Sequence, residues 1–196
     1  MTEASPCIRC WLVWNKMSDT QNRDWSHDLA WSGPPPGGGS AAAAGAALAL
    51  GILIMLSRAA AAKTEQLEAW RKQALAVATA DEAVLRRILQ VFSSGDVLGQ
   101  AEILGAVQPL LQLLDIAAQA LEAASKLKPQ LAAHMQCDLE VAIWQLAAAL
   151  RGGAAIIALN LSLLSEAEER DALQKKVDVA LGRGEEALQE LQQKPD

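Results

Sequence analysis

The sequence predicts an all-α fold, a compact bundle of about five long helices, and three observations carry that reading. Hydrophobic residues make up 52% and charged residues 20% of the 196 residues, enough to close a core in a single domain. The apolar content is mostly alanine and leucine, with one phenylalanine and no tyrosine, which favours helix over strand. Apolar residues then recur at steps of three and four through long segments, the spacing of one helical face. A formal charge of −6 leaves no broad basic surface, so nucleic acid is not an expected partner.

Residues 1–23 are expected to form an extension without a fold of its own, ahead of a domain spanning 24–196. Met17 and the polar "MSDTQNRDW" read as a natural start, which would make the residues before it an overextension. Cys7 and Cys10 form a CxxC with no second pair and no matching histidines, so no metal site is expected. The odd cysteine count, and an N-terminus without a signal-type apolar run, fit the cytoplasm.

The first long helix is expected to begin near Ser40. Pro34, Pro35 and Pro36 cannot continue a helix, and serine is a favourable N-cap. The apolar run at 41–56 falls short of the roughly 20 residues that cross a bilayer. It is also rich in small residues (Ala42, Ala43, Gly45, Ala46, Ala49, Gly51), so it reads as a buried central helix and no membrane partner is expected. Gly37, Gly38 and Gly39 leave the free N–H groups of the first turn unobstructed, the local chemistry of an anion or carboxylate site; such a run also serves as a plain turn.

A second helix is expected over residues 64–92, with Leu67, Trp70, Ala74, Ala78, Leu85, Ile88 and Phe92 on its apolar line and Arg71, Lys72, Glu82, Arg86 and Arg87 off it. Asp81 interrupts that line between Ala78 and Leu85. Either its carboxylate points into the core, where it needs a partner or a proton, or the stripe drifts and leaves it at a wet edge. Asp96 is a candidate cap for the next helix, over 96–128, within which Pro109 predicts a kink or a break. Pro129 stops that helix. The apolar segment 131–164 follows, carrying His134, Asp138, Arg151 and Asn160 as polar exceptions, which either satisfy one another or serve a site. Ser165 and Glu168 make a capping box for a last, structural helix over 166–193.

Three pieces of the chain then carry a family resemblance. "PPGGGSAAAAGAALALGILIM" resembles the PxPGGGSxxA opening of the cyclodeaminase and methenyltetrahydrofolate cyclohydrolase family, the folate-handling domain also fused to formiminotransferases. "ATADEAVL" resembles its xDADxxxF segment, "VQPL" its VPL, and "CDLEVAIWQLAAALRGGAAIIALNL" its SDLxxAxxxLxxAxxGAxxNVxxNL segment, in the same order and spacing from about Asp24 onward. The resemblance implies a dimerising helical domain that binds a reduced folate as substrate and needs no separate cofactor. Family members expel ammonia from 5-formiminotetrahydrofolate with ring closure, or hydrolyse 5,10-methenyltetrahydrofolate to the 10-formyl compound.

By the same resemblance Asp81 is the catalytic acid. Gly37, Gly38, Gly39 and Ser40 are expected to approach the substrate, Asp138 to bond the pterin edge or orient a partner, and Asn160 to be a retained binding residue. Three positions depart from the pattern: Thr79 stands for the first aspartate of DAD, Cys137 for the serine before Asp-Leu, and Ile156 for the asparagine of the NV pair. The last change removes an amide donor and acceptor together, which leaves a catalytically diverged helical dimer as the alternative to an active enzyme.

Overall fold

The structure, a computed structural model, describes residues 24–30 and 36–193. Its helices are α1 (Trp25–Ala30), α2 (Gly38–Ala59), α3 (Glu65–Ser94), α4 (Gln100–Leu127), α5 (Gln136–Leu161) and α6 (Ala167–Gln192). Two 3-10 turns, Lys128–Gln130 and Ala133–Met135, join α4 to α5. No strand occurs among the described residues. Residues 1–23, with Cys7, Cys10 and Met17, lie outside the description.

Consecutive long helices run up and down. Arg58 at the end of α2 meets Glu68 at the start of α3, Arg87 meets Glu102 of α4, and the Ser165 N–H after α5 donates to Gln100 at the start of α4. α6 runs antiparallel to α5, where Arg151 meets Glu185, and parallel to α4, where Arg183 reaches Asp115 and Glu122 while Ser125 reaches Glu190. α4 and α5 lie at the centre, and leucines 50, 53, 110, 113, 114, 121, 146 and 150 fill the core at 1% exposure or less.

Element limits differ from expectation for local reasons. α2 starts at Gly38 with Gly37 as N-cap, so Ser40 lies inside its first turn rather than capping it. It is also 22 residues long, with a mean hydropathy of 2.0. With Gln100–Gln130 and Ala133–Leu161 it is one of three stretches long and apolar enough, by length and composition, to cross a membrane, which corrects the expectation that it is too short. Within the bundle 61% of its apolar window is buried.

Gly95, at φ 76, closes α3 in the left-handed conformation favoured by glycine, and α4 begins only at Gln100 behind Gly99. Asp96 therefore caps nothing; it accepts from Ser94 Oγ in the loop. Ser165 forms no capping box, because Glu166 is the N-cap of α6 and the Ser165 N–H is turned toward α4. α4 passes through Pro109 without a break. Proline has no N–H, so the Gly105 carbonyl one turn earlier lacks its helical partner. It borders a groove of about 650 Å³ between α3, α4 and α6, lined by Val77, Ala80, Gly105, Gln108, Pro109 and Lys176. α1 was not anticipated; Asp24 caps it by accepting the backbone N–H groups of Ser26 and His27.

Candidate active site

Asp81 projects from the middle of α3 onto the first turn of α2. Its Oδ2 lies 2.9 Å from Ser40 Oγ, and the Ser40 backbone N–H also donates to the carboxylate. The free N–H groups expected to await a ligand are thus partly taken by a side chain of the chain itself. Gly39 makes this approach feasible: a Cβ there would come within 2.6 Å of the Asp81 Cγ and 2.8 Å of its Oδ2. Gly37 is constrained similarly, since its Cβ would lie 2.7 Å from Leu85 Cδ2. These glycines fit two helices together as much as they open a path to solvent.

Ser40 is fully buried, and its Oγ lies 3.0 Å from the Ala78 carbonyl as well as beside Asp81. A hydroxyl has one proton and two lone pairs. It donates to an ionised Asp81. When Asp81 is protonated it accepts from the acid and turns its own proton to Ala78. Both charge states of the carboxyl are therefore hydrogen-bonded without moving a heavy atom. Ser40 is placed to support Asp81 rather than to touch a substrate.

Burial pushes the Asp81 carboxyl above its ordinary value, the nearby Glu82 adds to the rise, and the two Ser40 donors oppose it. Both alternatives for Asp81 contain part of the answer: it lies at the edge of the core, half-buried, yet is desolvated enough for burial to dominate. Glu82 corrects the helical reading. Expected off the apolar line, it is buried at 6% exposure and paired with Arg86 one turn on. The i,i+4 spacing of that pair was the signal available in the sequence.

Gly38 is exposed and Gly37 half-buried, so they form the open rim of the site. Ile156 of α5 closes one side, its Cδ1 3.5 Å from where a Gly38 Cβ would stand. Asn160 follows one turn later, half-buried, its side-chain amide making no hydrogen bond to the described residues. Asp138 is not brought to this site within the chain. It is exposed in the first turn of α5, about 27 Å before Ile156 at the rise of an α-helix. His134 is exposed in the preceding 3-10 turn, where its carbonyl accepts from Cys137 Sγ, so it is no buried cargo of a long helix. Thr79 is exposed and bonds back to the Leu75 carbonyl of its own helix.

The family described as formiminotransferase-cyclodeaminase matches residues 21–179, most of the chain. The chain belongs to that family. The match includes the glycine run, Asp81, Asp138 and Asn160. Among solved structures, a formiminotetrahydrofolate cyclodeaminase from Thermotoga maritima superposes with a TM-score of 0.75 over 83% of this chain and 89% of its own, at 16% identity. That likeness establishes the shared helical fold. No match is found among curated proteins. The site this chain of the formiminotransferase-cyclodeaminase family presents is a carboxyl on the glycine turn, with an apolar Ile156 beside it where the resemblance calls for an amide.

Proposed function

We propose that the chain is a one-carbon folate enzyme working as a homodimer, with Asp81 moving the protons at a tetrahedral carbon. The observation that carries this reading is the half-buried carboxyl of raised pKa at the rim of the glycine turn, hydrogen-bonded by Ser40 in either protonation state. In the deaminase reaction, N10 of 5-formiminotetrahydrofolate adds to the formimino carbon. The formimino group enters protonated as an amidinium; Asp81 takes the N10 proton and returns it to the departing nitrogen, which leaves as ammonia as the cationic methenyl bridge forms. In the hydrolase reaction, water adds to the methenyl carbon and gives one proton to Asp81, which passes it to N5 as the N5–carbon bond breaks, while the remaining hydroxyl proton is released to solvent as the formyl carbonyl forms. The carboxyl ends each cycle in its starting state. Gly37 and Gly38 would admit the substrate, and Asn160 would supply an amide contact.

The test is equilibrium binding of a reduced folate, followed by absorbance of the methenyl chromophore. Appearance of the chromophore from the formimino compound marks the deaminase; its loss from the methenyl compound, above the uncatalysed rate, marks the hydrolase. Ile156 favours a second reading, a diverged dimer that keeps the fold: it puts a hydrocarbon where the resemblance has an amide. Folate binding without turnover of either compound would select that reading.

A further inference from the structure

We infer that the groove between α3, α4 and α6 is a ligand site separate from Asp81, and that it takes an N-acylated amino acid with an apolar side chain. α3 and α6 each pack on α4 and hardly on one another, so a strip of the α4 surface stays open between them. The opening holds about 650 Å³, a size that suits a small molecule, and much of its wall is hydrocarbon, from Val77 and Ala80 on α3 to Pro109 and Leu111 on α4.

The polar groups set in that wall determine the chemistry. Pro109 supplies no N–H, so the Gly105 carbonyl is an acceptor that the helix leaves open. Gly105 lies in ordinary helix, and a Cβ there would meet nothing within 4 Å. Neither packing nor backbone conformation requires glycine at this point, where alanine would make the more stable helix. Its effect is to leave the strip beside that carbonyl bare. Lys176 is the one charged residue lining the groove, and no carboxylate of the described residues pairs with it. Asp115, one turn beyond Leu111, is engaged by Arg183 instead. In a chain of net charge −6, a recess with an ammonium and no acid favours an anion.

The separation of acceptor and cation sets the ligand's size. α6 runs parallel to α4, and the bond from Ser125 to Glu190 aligns residues 65 apart, which puts Lys176 level with Leu111. Leu111 is six residues past Gly105, about 9 Å along the axis. An N–H donating to the Gly105 carbonyl and a carboxylate accepting from Lys176, each at about 2.9 Å, leave about 3 Å between them. An amide nitrogen and a carboxylate on one α-carbon have that spacing. Gln108 and Gln112, one turn apart on the same strip, can donate to the acyl oxygen, while Val77, Ala80 and Pro109 receive the side chain. A free amino acid is disfavoured, because its ammonium would join Lys176 in a groove with no acid to balance the two.

The test titrates the full chain with N-acetyl-L-leucine, without any folate, and follows backbone amide chemical shifts. Saturable binding is expected, with shifts centred on residues 105–112 and on the turn around Lys176. Lys176→Gln should weaken it about tenfold or more, and so should each of three altered probes: L-leucine, N-acetyl-L-leucinamide and N-acetyl-N-methyl-L-leucine. Gly105→Leu should abolish binding by filling the groove while the melting temperature holds or rises, since leucine is the better helix former and meets no neighbour at its Cβ. No saturation, or shifts centred elsewhere, would overturn the site. Binding indifferent to Lys176→Gln, or to loss of the probe's carboxylate or N–H, would overturn the assigned ligand class.

Discussion

Asp81, Ser40 and Gly39 act as a unit. Asp81→Asn removes the proton-carrying group and keeps its shape, so turnover should fall by about a hundredfold or more in the methenyl assay. Because the folded-state pKa is raised, the folded chain binds more protons than the unfolded one between the ordinary aspartate value and the raised value. Asp81 therefore costs stability as pH rises through that window, and the loss persists above it. Asp81→Asn should match or exceed wild-type stability at neutral pH and lose that advantage on acidification; pH-dependent unfolding in urea measures this. A variant less stable than wild type at neutral pH would show that the ionised carboxylate holds the helices together. Ser40→Ala removes one donor to the ionised form, so the acid limb of the pH–rate profile should move further upward. An unmoved limb would sever Ser40 from the chemistry. The sequence showed Asp81 as a break in an apolar line; it could not show which group met it, because Ser40 lies 41 residues away and looked like a cap.

Helix identities were legible because periodicity of three and four survives any choice of neighbour. Helix ends were less so, because their donors and acceptors are settled by contacts from elsewhere in the chain. α2 extends backward to Gly38, and Gly39 within that extra turn admits the carboxyl arriving from α3, which a Cβ there would meet. Ser165 lost its cap to Gln100. The sequence gives the last helix, α6, a structural role. It does carry surface ion pairs, Arg151 with Glu185 and Arg183 with Glu122 and Asp115, but Leu173, Val177, Leu188 and Leu191 are buried beneath them. Exposed pairs contribute little and buried leucines much, so Arg183→Ala should cost about 1 kcal/mol or less. Leu188→Ala should cost about 2–5 kcal/mol in chemical denaturation. A reversed order would mean that charge, rather than apolar contact, attaches α6.

At the scale of the molecule, each long helix runs opposite to the one before it, and the Asp81 site draws on α2, α3 and the end of α5. Sequence order could bring Asp81 to the glycines through that hairpin logic, but it could not separate the two ends of α5, so Asp138 and Asn160 looked like members of one cluster. If a reduced folate binds the folded chain alone, saturating ligand should raise the melting temperature, by about 2.7 kcal/mol of stability at a hundred times its Kd. Asp138→Asn should lessen that rise if the residue reaches the ligand. Pro109 carries a different consequence. α4 contacts every other long helix, yet its ladder lacks one rung at Gly105, beside a groove open to water. In deuterated solvent the interior amides around residues 105–109 should therefore exchange sooner than those of the sealed stretch 113–121, so that the central helix flexes at its middle while both halves stay clamped.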